Sequence, residues 1–261
     1  MPRPIDLVED ADRDVIAMES WYPGGQIVDA HSHRRIQLLY GATGTMQLDT
    51  KFGTWIVPPG FAVWIPAGVP HQLTMNNVVT HSLYFRISAL SDPPRKCQVI
   101  EVPPFLRELI RESINVPLLY EPDSRDELLM KMLLLEASLQ PVVPLHLPMP
   151  KDPQLARLCQ AFYKAPSQAA TPQEWARQLH ISERTFYRRF LLNTGMTFSS
   201  WRQQACVFVA LSRLSLGQSI TTIALDMGYE SPSSFSTMFK KSMGFPPSQY
   251  VKQSEQDGKR I

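Results

Sequence analysis

The chain has 261 residues, of which 44% are hydrophobic and 19% charged, with a formal net charge of +2. That length suits two modest domains, each able to bury its own core, and the composition is that of an ordinary globular protein. No stretch approaches the roughly 20 uninterrupted apolar residues of a membrane span. The opening MPRPIDLVEDADRD is acidic and lacks the apolar core of a signal peptide. Cys97, Cys159 and Cys206 are far apart and show no metal or redox spacing, as expected of buried free thiols in a reducing cytoplasm. The charge is unevenly spread. Residues 1–150 carry 12 Lys and Arg against 17 Asp and Glu, whereas residues 151–261 carry 14 against 7. Only the C-terminal part is built to lie near a polyanion.

Residues 26–87 read as short strands with turns between them. QLLYGATGTMQL breaks at Gly41 and Gly44, and GFAVWIPAG is bounded by Gly60 and Gly68. Such punctuation predicts a small β-barrel or sandwich. Residues 104–115 and 123–140 then turn helical, with Leu106, Leu109 and Ile110 on the first. Leu128, Met132 and Leu135 line the second, and Leu129 and Leu133 widen that stripe. Asp123 or Ser124 can cap the second helix and Pro141 stops it. These helices carry more outward apolar residues than a lone barrel needs, which predicts a homodimer. PVVPLHLPMP, residues 141–150, holds four prolines in ten positions and makes a semi-rigid connector.

Everything after the connector reads as helix, and two segments match each other. TPQEWARQLHISERTFYRRFLLNTGMTFSSW starts at Thr171, and SITTIALDMGYESPSSFSTMFKKSMGFPPSQY at Ser219. Ala176 aligns with Ala224, Leu179 with Met227, Phe186 with Phe235, Phe190 with Phe239, Gly195 with Gly244 and Trp201 with Tyr250. Each copy has the physics of a helix-turn-helix. Thr171 caps the first helix, Pro172 takes its first position, and Glu174 is placed to complete a capping box. The second helix starts at Ser182 in one copy and at Ser231-Pro232 in the other. The phenylalanine pairs lie four apart and face the core. The opposite face carries Arg184, Tyr187 and Arg188 in the first copy. In the second it carries Ser233, Ser236 and Thr237, followed by Lys240 and Lys241. Arg, Tyr, Ser and Thr can hydrogen-bond base edges, and lysines suit phosphates.

Residues 152–251 resemble the DNA-binding domain of the AraC/XylS family of bacterial regulators. The stretch from Gly217 to Tyr250 follows that family's signature almost throughout. The resemblance implies two helix-turn-helix motifs, at about 171–193 and 219–243, joined by a long helix at about 197–215. Each recognition helix would then enter a major groove of double-stranded operator DNA. RNA polymerase is a further partner for a regulator of this kind.

The N-terminal half carries a second resemblance. Gly25, His31, His33, Gln37 and Gly44 stand as G-x5-H-x-H-x3-Q-x6-G, and Gly60, Pro66, Gly68, His71 and Asn76 as G-x5-P-x-G-x2-H-x4-N. These are similar to the two motifs of the cupin barrel, except that Gln37 replaces a glutamate and Asn76 lies one position late. Side chains two apart on a strand share a face, so His31 and His33 can converge, with His71 reaching across from a neighbouring strand. Three imidazoles and an amide oxygen suit a divalent transition metal such as Zn, Ni, Fe or Mn. The same residues would equally line a metal-free small-molecule pocket. His81 alternates with Leu83 and Phe85 and is a further barrel-facing candidate. Trp55, Phe61 and Trp64 would wall an apolar pocket or simply pack the core.

The expected architecture is therefore an α+β two-domain chain. A cupin-like sensor barrel spans residues 1–100, a helical dimerisation segment 101–140, a linker 141–151, and an all-α double helix-turn-helix domain 152–261. The expected function is a cytoplasmic, non-enzymatic transcription regulator responding to a small molecule or metal. The rival is a cupin metalloenzyme with an accessory DNA-binding domain.

Overall fold

The computed structural model describes residues 5–167 and 170–258. These fall into two compact units, one running to residue 51 and over 55–146, the other comprising 52–54 and the chain from 147 onward.

The first unit opens with helix α1 (Ile5–Asp10) and eight strands: β1 (Val15–Tyr22), β2 (Gln26–His31), β3 (Ile36–Gly41), β4 (Thr45–Thr50), β5 (Gly53–Val57), β6 (Phe61–Ile65), β7 (His71–Asn76) and β8 (Val78–Phe85). Strand β9 (Gln98–Glu101), helices α2 (Pro104–Ser113) and α3 (Arg125–Leu139), and two-residue strands β10 (Val142–Val143) and β11 (His146–Leu147) follow. They form a six-stranded sheet, β1-β8-β3-β6-β9-β10, and a five-stranded one, β11-β5-β4-β7-β2. The proline-rich stretch is thus more than a connector, since a short strand of it pairs with β9.

Register decides which side chains face the interior. Gln37 lies opposite Tyr84 and Leu39 opposite Ser82, so these four share one face of the six-stranded sheet. The other face carries Leu38, Tyr40, Leu83, Phe85 and Trp64, and it is covered by α2 and α3 through Leu106, Ile110, Met130, Leu133 and Ala137. That sheet is buried on both sides, which a half-exposed antiparallel sheet is not. Trp64 therefore packs against Phe85, with ring centroids 5.1 Å apart, and does not wall a ligand pocket. Trp55 stacks on His146 at 4.3 Å. The hairpin glycine of the first motif is obligatory. Gly44 sits at φ +62°, where an added Cβ would lie 2.3 Å from the carbonyl oxygen of Asn76.

In the second unit each helix before the last is started by a side chain that accepts a backbone N–H. Asp152 caps α4 (Pro153–Lys164), Thr171 caps α5 (Pro172–Gln178), and Ser182 caps α6 (Glu183–Thr194). Thr197 caps the long α7 (Phe198–Ser215), Ser219 caps α8 (Ile220–Asp226), and Ser231 caps α9 (Pro232–Met243). Helix α10 (Pro247–Gly258) closes the described chain. The reciprocal capping box forms at Ser231 and Ser234. It does not form at Thr171, because the Glu174 carboxylate turns instead to Arg177 and to Gln178 at 2.9 Å. Gly195 and Gly244 end α6 and α9 in the left-handed region, at φ +70° and +83°. The matched aromatics are buried as pairs, and around the first copy Phe162, Trp175, Phe186, Phe190, Phe198 and Trp201 join one aromatic cluster.

Candidate functional site

Two constellations stand out, one in each unit. In the second unit, α5 and α6 make the first helix-turn-helix and α8 and α9 the second. Ala176 and Ala224 are buried where the paired helices meet. Phe186 and Phe190 anchor α6 from within, which turns Arg184, Tyr187 and Arg188 outward, and all three are exposed. Among the described residues neither Arg184 nor Arg188 meets an internal carboxylate. Arg189, the next residue, does the opposite. It holds Asp152, the cap of α4, through Nε at 2.7 Å and through its terminal nitrogen, so it is a brace. On α9, Ser233, Thr237, Lys240 and Lys241 are exposed and Ser236 is half-buried. The Ser236 and Thr237 hydroxyls donate to the Pro232 and Ser233 carbonyls at 2.8 and 2.9 Å. Their oxygens still accept. One helix thus offers forked cationic donors and the other short hydroxyls followed by lysines.

The barrel brings the three predicted histidines together. His31 ends β2, His71 begins β7 directly opposite it, and buried His33 lies in the turn before β3. Ring centroids are 4.4 Å apart for His31 and His71, 5.1 Å for His33 and His71, and 6.2 Å for His31 and His33. Each Nδ1 faces a backbone carbonyl: Asp29 at 2.8 Å, Arg35 at 2.6 Å and Val69 at 2.9 Å for His31, His33 and His71 respectively. A carbonyl only accepts, so each Nδ1 carries the proton and each Nε2 is left with its lone pair. The Nε2 of His71 is buried with no hydrogen-bond partner. That is the tautomer and the second-shell arrangement of metal-binding histidines. Among the described residues, no group of three or more His, Cys, Asp or Glu side chains is placed to hold a metal ion.

Burial disfavours the charged forms of His33 and His71. It brings His71 down to about 4, and it lowers His33 against the opposing pull of its bonds to Arg35 and Gln37. Gln37 is buried beside them, with Oε1 2.9 Å from His33 Nε2 and with Nε2 donating to Ser82 Oγ at 3.1 Å and Tyr84 Oη at 3.3 Å. Burial pushes the Tyr84 hydroxyl up to about 12, so it stays protonated.

Ser82 and Tyr84 were not anticipated from sequence, and His81 is placed differently from expectation. His81 does share a face with Leu83 and Phe85, but that is the helix-covered face. There its Nε2 meets Glu19 at 2.9 Å, away from the histidine cluster. The signal that could have found Ser82 and Tyr84 is the same alternation read from the other side. The three cysteines are buried, and burial raises every one of their thiols.

Comparison with known proteins identifies both domains. Residues 175–253 match the family model of a helix-turn-helix domain, and residues 15–187 match that of an AraC-like ligand binding domain. The chain is 33% identical over 223 residues to the HTH-type transcriptional regulator NimR of Escherichia coli (strain K12), covering 85% of this chain and 81% of that one. The HTH-type transcriptional regulator RipA of Corynebacterium glutamicum is 32% identical over 104 residues, 40% of this chain and 31% of its own. Among solved structures, unsaturated fatty acid bound ToxT from Vibrio cholerae aligns with a TM-score of 0.39 at 12% identity, over 94% of this chain and 97% of that one.

Proposed function

Since the chain belongs to the AraC/XylS family of DNA-binding transcription regulators, with an AraC-like ligand-binding domain ahead of its helix-turn-helix domain, we propose that the histidine cluster is where it senses. The observation that carries this is the clustering of the three imidazole rings, with the Nε2 of His71 buried and without a hydrogen-bond partner. The effector is a divalent transition metal, or a small molecule that docks on it or on the bare imidazoles. His31, His33 and His71 hold the ion, with Gln37 as a weak or outer ligand. Such an ion supplies a Lewis acid to which an effector's donor atom can bind. We read the protein as a regulator rather than an enzyme, the role carried by its helix-turn-helix domain and its regulator relative. Its place of action is the cytoplasm, where the operator is. No helix of the described chain is long and apolar enough to cross a membrane.

The test is elemental analysis of full-length protein purified without chelator. We expect about one divalent ion per chain, and its loss together with the effector response in a His31→Ala, His33→Ala variant. No stoichiometric ion even after loading at neutral pH would leave the histidines as pocket lining.

The working unit is a homodimer joined through α3. Met130, Leu133 and Ala137 bury one face of that helix, while Leu128, Met132, Leu135 and Leu139 stand exposed on another, Leu128 and Leu139 at 63% and 67%. Steps of four, three and four residues make a heptad seam, which a second copy can cover by knobs-into-holes packing. Introducing Leu128→Glu and Leu135→Glu is expected to convert a sedimenting dimer to monomer and to weaken operator binding, since the linked second half-site is lost. Wild-type protein that sediments as a monomer at high concentration would refute this. RNA polymerase is the remaining partner we assign, once the dimer is on its operator.

A further inference from the structure

Antiparallel register sets two arginines side by side at one end of the six-stranded sheet. Ile36 opens β3 opposite Phe85, the last residue of β8, so Arg35 and Arg86 follow as the next pair outward. Like charges directly opposite each other destabilise a sheet. Burial, and next the Arg86 charge, lower the Arg35 pKa from its usual range. Arg35 is only 4% exposed, and its Nε is buried with no hydrogen-bond partner. Its terminal nitrogens donate to the backbone carbonyls of Arg13 at 2.8 Å and Ala11 at 2.5 Å, and among the described residues it makes no ion pair. The acids nearby are taken by the other arginines. Arg34 meets Glu9 through Nε at 3.0 Å and Asp10 through a terminal nitrogen at 2.5 Å. Asp12 lies 2.6 Å from Arg86, and Asp14 3.8 Å. Arg34, Arg35 and Arg86 line one surface depression of about 500 Å³, whose wall is completed by Glu9 and by exposed Ile87 and Ser88. A donor to two carbonyls needs no charge, and a buried guanidinium without a counter-ion is costly. An anion from outside is what that charge fits.

We propose that Arg35 and Arg86 form a binding site for a small organic monocarboxylate, separate from the histidine cluster and independent of what that cluster holds. Arg35 is its floor and the partly exposed Arg86 its rim. A guanidinium has five N–H donors, so both arginines can reach a carboxylate while Arg35 keeps its two carbonyls. Ile87 takes the apolar group that carries the carboxylate, and Ser88 offers a hydroxyl beside it. Glu9 stands in the wall with its own negative charge, and Asp12 lies against Arg86. These two repel a doubly charged phosphate about twice as strongly as a monoanion, which makes a carboxylate the better fit.

The test uses the full chain at neutral pH and constant ionic strength, with nitrogen-15 NMR of the arginine Nε–H groups. The protein is titrated in parallel with sodium butyrate, acetate, phosphate and chloride. Arg35→Lys and Arg86→Gln each lack one resonance and so assign it. We expect butyrate to shift the Arg35 and Arg86 Nε–H resonances saturably and to bind more tightly than acetate, while phosphate and chloride leave them nearly in place. Arg86→Gln should weaken butyrate binding about tenfold or more, since it removes charge-assisted hydrogen bonds. Glu9→Gln should tighten it, because a competing negative charge leaves the wall. A gain of that kind does not arise from a damaged fold, so it decides the matter even if Arg86→Gln is unstable. No saturable shift with butyrate, or the same shift with chloride, would overturn the site and leave Arg35 as a brace for the Ala11 and Arg13 carbonyls. Unchanged butyrate affinity in a folded Arg86→Gln protein would do the same. Phosphate that binds more tightly than butyrate would overturn the assignment to carboxylates.

Discussion

Changing Arg184 and Arg188 together to alanine is expected to remove most of the preference for operator over unrelated duplex. Each guanidinium projects from α6 opposite the buried Phe186 and Phe190, and neither is consumed by an internal carboxylate among the described residues. A fork of N–H donors at that place fits the two acceptors on a guanine edge, and one good bidentate contact is worth about 1–3 kcal/mol of discrimination. Lys240 and Lys241, on the last turn of α9, should act differently. Their alanine variants should weaken binding to all sequences and flatten its dependence on salt, because a phosphate contact acts by releasing counterions. Binding to a selected operator and to a scrambled duplex, measured at two salt concentrations, separates the two effects. If folded Arg184→Ala and Arg188→Ala proteins keep the wild-type ratio, the outward face of α6 does not read bases.

How much of this was legible depended on whether a residue's role was local. Helix caps are decided by a side chain and the N–H groups two or three residues on, so Thr171, Ser182 and Ser231 could be read directly. The phenylalanine pairs were legible for the same reason, since i, i+4 spacing fixes the face. The capping box at Thr171 was not, because Glu174 had the choice of Arg177 and Gln178 one turn on. In the barrel the alternation of β8 was read correctly and its sidedness was not. Period two says that His81, Leu83 and Phe85 share a face. It cannot say which face is inside when helices also bury the outer one. Hence His81 pairs with exposed Glu19 on that outer face, and Ser82 and Tyr84 reach Gln37. The convergence of His31, His33 and His71 was anticipated by motif spacing. The carbonyls that fix their tautomers belong to turns that no side-chain pattern announces.

Trp201→Ala should be the most damaging single change in the second unit. The residue sits on α7, fully buried, at the position that matches Tyr250 in the other repeat. Its ring lies 5.8 Å from Phe190 and 5.9 Å from Phe162, and its indole N–H donates to the Pro148 carbonyl at 2.8 Å. Truncation removes one of the cluster's two tryptophans and leaves a void among rings anchored on α4, α5 and α6. The ion pair between Arg189 on α6 and Asp152 at the start of α4 opposes a shift of those two helices into it. Losses of about 3–5 kcal/mol are usual for a buried aromatic cut to alanine. The orphaned carbonyl adds to that if water does not reach it. Against a total stability of roughly 5–15 kcal/mol, this removes a large share of what holds the unit folded. Trp201→Phe keeps most of the buried ring area and loses only the hydrogen bond, so it should cost far less. Urea titration followed by near-ultraviolet circular dichroism of both variants measures the difference. An alanine variant as stable as the phenylalanine one would mean that the cluster collapses onto the void, and that Trp201 is not what ties α7 to the first helix-turn-helix.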